Sequence, residues 1–429
     1  MKKLALFALI TGHFFADTHT DKLETRIKLL EQGLNALKTE LKLVIEAEKS
    51  KPKLSNPSKG LIIKKPNTKQ YIKVGGRMMI DYSFLSADQG LINKFNPNLK
   101  NSSEFRRARI HIAGATNDKI SYKLSYEFSK ANATIKDTFI KYKSNSQKGL
   151  RIGHTVEPFG LEYMNSSKYI TFMERSVIDA FYPKYNSGIF YMDEDPKKKF
   201  TWALGLFGDA GSDGKTGLVG KSVWNTTARF IYDPYYKNNG KHYLHLGFAQ
   251  SHRNSNGNSI SFSITPGSHL WNKKFNTTGN ISANSTDLYG LEFLWNKDKL
   301  SVQSEYVKSE VNAVNGLDSE FSGWYVFASY FLTNDHRPYN RKYRLSSRVK
   351  PNSDYTKGGR GAWQIAARYS TLDLNDTSAK VFGGKVNSQT FGLNWHLTSN
   401  TRVMWNYVLS DHQTLGDSKS FNMRLQIDF

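Results

Sequence analysis

The feature that most narrows the folds open to this chain is a strict two-residue alternation that recurs from Tyr71 to the last residue. In the final segment Phe421, Met423, Leu425, Ile427 and Phe429 fall on one face, and Asn422, Arg424, Gln426 and Asp428 on the other. Phe200, Trp202, Leu204 and Leu206 oppose Thr201, Ala203 and Gly205 in the same way, and Phe391, Leu393, Trp395 and Leu397 oppose Gly392, Asn394 and His396. Side chains along a strand point alternately to its two faces. Each segment is therefore a strand with one aromatic-rich apolar face and one face that is small or charged. A barrel with lipid outside and water inside needs that pattern. A secreted sandwich or a propeller would not need aromatics on an outer face, and no 40-residue blade repeat is present.

Sixteen such segments begin near residues 71, 103, 120, 134, 149, 185, 199, 222, 241, 285, 299, 320, 361, 386, 401 and 419. A spanning strand takes about 9–11 residues, which leaves about as many for each connection. Asn296–Lys299 and Thr398–Asn400 read as tight periplasmic turns, while the stretches 253–284 and 334–360 read as long external loops. Phe429, an aromatic C-terminus on the outward face of the last strand, fits an outer-membrane barrel. The expected fold is all-β, a 16-stranded antiparallel transmembrane β-barrel over residues 70–429, preceded by a short N-terminal coiled-coil helix.

Composition removes other classes. A mean hydropathy of −0.56 without a run of eighteen apolar residues argues against membrane helices and leaves barrels untouched, because alternating strands average out as polar. With 13% aromatic residues the chain is not a disordered one. The absence of cysteine excludes disulfide scaffolds, thiolate metal sites and cysteine nucleophiles.

The first 69 residues are of different material. Lys2 and Lys3 precede a short apolar stretch, Leu4 to Phe15, and residues 1–16 read as an export signal. Over 17–48, Leu23, Ile27, Leu30, Leu34, Leu37, Leu41 and Val44 are spaced alternately by four and three, the seam of a coiled coil. A helix packed on its own barrel would show the same stripe, and self-association is the favoured reading. Residues 49–69 are rich in Lys, Pro and Ser and read as an extended linker.

Several stretches resemble the phosphate-selective porin family (the porin O and P type). They are Lys73-Val74-Gly75-Gly76-Arg77, Phe105-Arg106-Arg107-Ala108-Arg109, Pro158-Phe159-Gly160-Leu161-Glu162, Ser166-Ser167-Lys168 and Phe172-Met173-Glu174-Arg175-Ser176. Phe321-Ser322-Gly323-Trp324, Arg337-Pro338-Tyr339, Gly361-Ala362-Trp363, Ala367-Arg368-Tyr369 and Gly392-Leu393-Asn394-Trp395 continue the likeness in order along the chain. The resemblance implies a homotrimer of barrels in the outer membrane of a Gram-negative bacterium, each with its own pore narrowed by an inward third loop, here about Glu157–Pro183. It implies an anion-binding constriction of Arg77, Arg106, Arg107, Arg109 and Arg175, shaped by Tyr163 and Ser166 and faced by Asp137. Family members with strong phosphate selectivity carry Lys where this chain has Tyr163, so the expected solute is phosphate or a related inorganic anion. A general diffusion pore, or an anchor or adhesin using the coiled coil, is the alternative.

The residues support an anion pore independently of that likeness. The protein carries a formal charge of +23, of which +7 lies in residues 1–69. Arg77, Arg107, Arg109, Lys123, Arg229, Arg368 and Arg424 have inward parity. A lipid-facing Arg or Lys at the midplane costs about 2–4 kcal/mol, so these side chains line the lumen or sit near the membrane edges. Arg106 and Arg107 have opposite parity and reach the pore together only if the strand bulges or ends there. Rings of Arg and Lys are a means of anion selection, and the guanidinium fork matches paired oxygens. Each Arg could instead pair with a carboxylate such as Glu127 or Asp137, although acids are few for the whole set. The stretch Arg337–Arg360 holds eight basic residues against Asp354 alone; it could steer anions, hold lipopolysaccharide phosphates or be ordinary solvated loop.

Other motifs fail. Gly208–Thr216 has one residue too many for a nucleotide-binding loop and follows a strand instead of opening a helix. His242 and His245 point to opposite faces and cannot share a metal. Glu157, Glu162 and Glu174 are better explained by a constriction loop than by acid–base catalysis. No enzyme activity, cofactor or metal is expected, and no nucleic-acid partner either, since the aromatics lie on the apolar faces and not among the cations.

Overall fold

The computed structural model describes residues 19–50, 53–55, 60–144, 148–216, 224–255 and 257–429. Sixteen antiparallel strands form the wall. The first eight are β1 (Tyr71–Ala87), β2 (Ser102–Ala115), β3 (Ile120–Glu127), β4 (Thr138–Lys143), β5 (Lys148–Val156), β6 (Tyr185–Asp193), β7 (Phe200–Gly208) and β8 (Trp224–Lys237). They continue as β9 (His242–Asn254), β10 (Ile281–Lys297), β11 (Leu300–Ala313), β12 (Ser319–Phe331), β13 (Ala362–Asp376), β14 (Val381–His396), β15 (Thr401–His412) and β16 (Gly416–Asp428). Every strand pairs with its neighbours in sequence, and β16 pairs back to β1 from Ser418↔Ala87 to Asp428↔Arg77. The sheet therefore has no free edge within the wall, as a bilayer demands.

The alternation read from the sequence is the alternation of the wall. Phe421, Leu425 and Ile427 are exposed on the outside, while Asn422, Arg424, Gln426 and Asp428 are buried on the inside. Trp363 stacks on Trp395 at 5.0 Å on that outer surface, near the ends of their strands, where barrels place aromatic girdles. The paired glycines of the Lys73-Val74-Gly75-Gly76-Arg77 stretch have a closing role. Gly76 N–H donates to the Phe429 carbonyl at 2.9 Å, and Phe429 N–H donates back to the Gly76 carbonyl at 3.2 Å. A Cβ on Gly76 would lie 2.5 Å from the Phe429 ring and 2.7 Å from the Arg109 carbonyl, so a side chain there would push the C-terminus out of the seam.

Both ends of the wall, Tyr71 and Phe429, lie at the same rim as the short turns 194–199, 238–241, 298–299 and 397–400. Short turns mark the periplasmic rim of such barrels. The pairing Phe331↔Gln364 places the connection 332–361 at that same rim, whereas Asn254↔Ser285 places 255–280 at the opposite one. The expectation that both are external loops is thus half corrected: parity of strand direction puts 332–361 at the periplasmic end.

Helix α1 (His19–Ser50) is a unit of its own, and its seam is exposed in the single chain, from Leu23 at 50% to Leu30 at 69%. The export signal expected over 1–16 lies outside the described residues. The linker expected over 49–69 is described in part and includes the extended pieces Lys53–Ser55 and Leu61–Lys64.

Candidate functional site

The connection between β5 and β6, residues 157–184, enters the barrel instead of standing above it. One of its faces is apolar: Phe159, Phe172, Val177, Ile178, Phe181 and Tyr182 are buried against Leu288, Val307, Phe321, Tyr325, Phe327 and Leu372 of the β10–β13 wall. Phe172 meets Phe327 edge-on at 5.4 Å, and Phe181 meets Phe262 of the 255–280 loop at 5.1 Å. That side of the lumen is a packed core and not a water path.

Carboxylates fasten the loop to the wall. Glu157 accepts from Arg253 Nη1 (3.0 Å) and Thr227 Oγ1 (2.6 Å). Glu162 accepts from Arg368 (3.2 Å) and from the Ser176 amide (2.9 Å). Glu174 takes two bonds of 2.7 Å from the Arg106 fork and a third of 2.9 Å from Arg424. From the other direction, Glu305 on β11 accepts the Leu161 and Glu162 amides at 2.6 and 2.8 Å, at the start of the single turn α2 (Leu161–Met164). These three loop glutamates, which from sequence alone could suggest acid–base chemistry, are fasteners.

This fastening consumes wall cations. Arg424 binds Asp81 through two bonds of 2.6 Å, so Arg106, Arg424, Asp81 and Glu174 form a charge-neutral quartet. Arg109 pairs with Glu127 at 3.0 Å, Lys123 with Asp137 at 2.6 Å, and Arg229 with Glu292 at 2.6 Å. Arg175 donates to the carbonyls of Glu162, Tyr163 and Asn165, each at 3.1 Å, and lies 4.4 Å over the Tyr163 ring. It closes the exit of α2 and shields Tyr163, whose phenol burial pushes well above its ordinary range.

A different set is left without a carboxylate among the described residues. Arg77 donates to Ser167 Oγ at 2.7 Å and Ser166 Oγ at 3.3 Å, on the polar face of the loop. Arg107 donates only to the Arg106 carbonyl. Arg151 lies over Phe139 and Phe190 at 4.2 and 4.8 Å, with Thr155 and Met192 as its polar partners. Arg106 and Arg107 do reach the lumen together, because the register slips between Met79↔Arg107 and Ile80↔Phe105 and leaves Arg106 as the extra residue of a bulge. Of the residues named from the sequence, Arg77, Ser166, Arg107 and Arg106 meet along β1 and β2. Arg229 and Arg368 sit on the far wall, each in its own ion pair. Arg151 and Lys168 were not singled out. Arg151 has the inward parity of its strand, and Lys168 directly follows the two serines that hold Arg77. Lys168 donates to Asp428 at 3.1 Å, and that carboxylate also receives Arg348.

The sequence matches the family described as phosphate-selective porin O and P over residues 72–429. Porin O of Pseudomonas aeruginosa is 23% identical over 395 residues, covering 83% of this chain and 88% of that protein. An uncharacterized protein of Caulobacter vibrioides is 29% identical over 355 residues, covering 80% of this chain and 69% of that one. Among solved structures, an anion-selective porin from Comamonas acidovorans superposes with a TM-score of 0.54 at 10% identity, covering 84% of this chain and all of that one. The outer membrane channel DcaP of Acinetobacter baumannii gives 0.53 at 11% identity, covering 84% and 97%. At such identities the superpositions establish the barrel fold alone.

Proposed function

The chain belongs to the phosphate-selective porin O and P family and is an outer-membrane porin of a Gram-negative bacterium; we propose that its pore passes anions passively along the β1–β5 wall. The observation that carries this reading is the charge imbalance of the lumen. Carboxylates neutralise cations that fasten the loop, while Arg77 beside the loop's serines, Arg107 and Arg151 have no carboxylate as ion-pair partner among the described residues. An anion entering there relieves repulsion among fixed cations, and a narrow, poorly screened pore magnifies the effect. Loss of the family's ammonium at Tyr163 favours broad selection among small inorganic anions over a dedicated phosphate site. The test is the reversal potential of the full-length protein in a planar bilayer under a KCl gradient. Chloride preference is the expected result, and a potassium-preferring pore would sink the reading.

Lys168 gives the preference a pH dependence. Burial and the neighbouring Arg77 and Arg348 guanidiniums push its ammonium down to about 8, against the pull of Asp428. The charge is present below that value and lost above it. Chloride preference is expected to fall about twofold between pH 7 and 9, and a Lys168→Met channel should show a smaller fall across the same window.

The exposed seam of α1 favours a trimer joined by a three-stranded coiled coil in the periplasm. Deletion of residues 19–48 is expected to lower the temperature at which trimers dissociate in detergent while leaving the reversal potential in place. A shift of the reversal potential with intact trimers would instead tie the helix to the pore.

A further inference from the structure

The segment 332–361 does more than turn the chain at the periplasmic rim. It crosses the lumen as a strap. Arg337 reaches Gln303 on β11 at 2.6 Å, Tyr339 stacks on Tyr243 of β9 at 4.7 Å, and Arg348 binds Asp428 on β16. At Tyr339 the strap also joins a buried chain of four polar side chains. Glu292 on β10 contacts His245 Nε2 at 3.0 Å, His245 Nδ1 contacts the Tyr339 hydroxyl at 2.7 Å, and that hydroxyl contacts Asp233 on β8 at 3.1 Å. None of the four is more than 6% exposed. His245 faces a slip in the β8–β9 register, between Tyr232↔Leu246 and Tyr235↔Leu244, and Asp233 lies within that slip.

Counting protons along this chain exposes a deficit. Both ends are acceptors held in the charged form. The Arg229 fork grips Glu292 through bonds of 2.8 and 2.6 Å, and Arg344 of the strap binds Asp233, with Arg341 Nε at 3.9 Å. Three contacts at hydrogen-bond distance therefore separate two carboxylates, and each needs a proton. A neutral imidazole supplies one N–H and the phenol one O–H, which makes two. If the imidazole proton sits on Nε2, the phenol donates to Nδ1 and its oxygen faces Asp233 with no proton between them. If it sits on Nδ1, the bare Nε2 faces Glu292. Either way two lone pairs meet in a buried, poorly screened place, which is unfavourable.

We propose that the chain from Glu292 through His245 and Tyr339 to Asp233 is a proton-binding clasp, in which one further proton completes the third contact and ties the strap to the barrel wall. The sign follows from where the proton binds. The clasped form takes up a proton that the released form does not need, so acid favours the clasp and alkali opens it. Besides the four members, the charged and titratable groups facing it are Arg229 of β8, Arg341 and Arg344 of the strap, Tyr243 of β9 and Glu305 of β11. The arginines and carboxylates are paired or hydrogen-bonded in place, which leaves the shared proton as the variable element. Tyr339 is the one member of the chain that moves with the strap. The clasp needs only the barrel and its strap, so a potassium-preferring reversal potential would defeat the anion-channel reading and leave the clasp standing.

The protein has no cysteine, so a spin label can be attached at a single introduced one. Tyr343→Cys places it at an exposed strap position just beyond Tyr339. In the full-length protein in detergent, the immobile component of the label's spectrum is expected to dominate at pH 6 and to fall about fivefold or more by pH 9. Adding Tyr339→Phe removes the hydroxyl that joins His245 to Asp233, and the label should then be mobile at both pH values. A parent label equally mobile at the two pH values, or a Tyr339→Phe background that keeps the full pH response, would overturn the inference. A second measurement needs no variant and does not depend on variant folding. Hydrogen exchange of the amides at 337–346 in the unaltered protein, divided by the free-peptide rate at each pH, should lose protection about tenfold or more between pH 6 and 9. Unchanged protection would also overturn it.

Discussion

Replacing Arg77 and Arg107 together by glutamine is expected to cut the chloride-over-potassium permeability ratio about tenfold, while replacing the ion pair Arg106 and Glu174 together by glutamine moves it far less. The difference follows from pairing and not from position, since all three arginines share one stretch of β1 and β2. Two unit charges about 7 Å apart interact by ~0.6 kcal/mol in bulk water and by ~2.4 kcal/mol at an effective dielectric near 20. Two lost cations therefore bracket a change from severalfold to well beyond tenfold. Arg106 is already cancelled by Glu174, which holds its fork through two bonds of 2.7 Å. Ratios read from reversal potentials at one ionic strength decide the matter. If the Arg106 and Glu174 double change proved as damaging as that of Arg77 and Arg107, the quartet of Arg106, Arg424, Asp81 and Glu174 could not be the neutral fastener described above.

Arg424→Met is expected to be the most destabilising single change in the barrel wall, by about 3–5 kcal/mol. The guanidinium is 1% exposed and meets Asp81, 5% exposed, through two bonds, with further bonds to Glu174 and to the Met173 carbonyl. Removing the cation leaves a buried carboxylate unpaired, which is far worse than removing the pair. Urea unfolding followed by the heat-modifiable gel mobility of folded barrels measures the loss. The double change Arg424→Met with Asp81→Leu should recover much of it. A single variant as stable as the parent would show that water, and not Arg424, satisfies Asp81.

How much of this was legible beforehand can be argued from particular residues. The starts of all sixteen strands fall within a few residues of the positions read from alternation, including the short strand at Tyr185 and the last at Gly416. Alternation is a local property of a half-lipid, half-water wall, so each strand declares itself. The Arg106 and Arg107 pair was legible as a problem of parity, and the bulge is its solution. The partners of the cations were not legible. Glu174 lies 68 residues from Arg106 and 250 from Arg424, and the three meet only because the loop turns inward. The rim on which 334–360 sits was not legible either, because a long loop carries no local mark of its end of the barrel. Strand direction settles that, and direction depends on every turn before it.

The sequence by itself determined the barrel, its strand count, its inward and outward faces and the exposed heptad stripe of α1, all of which depend on periodicities of two or 3.5 residues. Only the tertiary structure decided which cations are spent on fastening the loop and which remain to face an anion, and that 332–361 straps the periplasmic mouth. Those outcomes are set by contacts between residues tens to hundreds of positions apart, which exist only after β16 has closed on β1 and enclosed a lumen for both segments to enter.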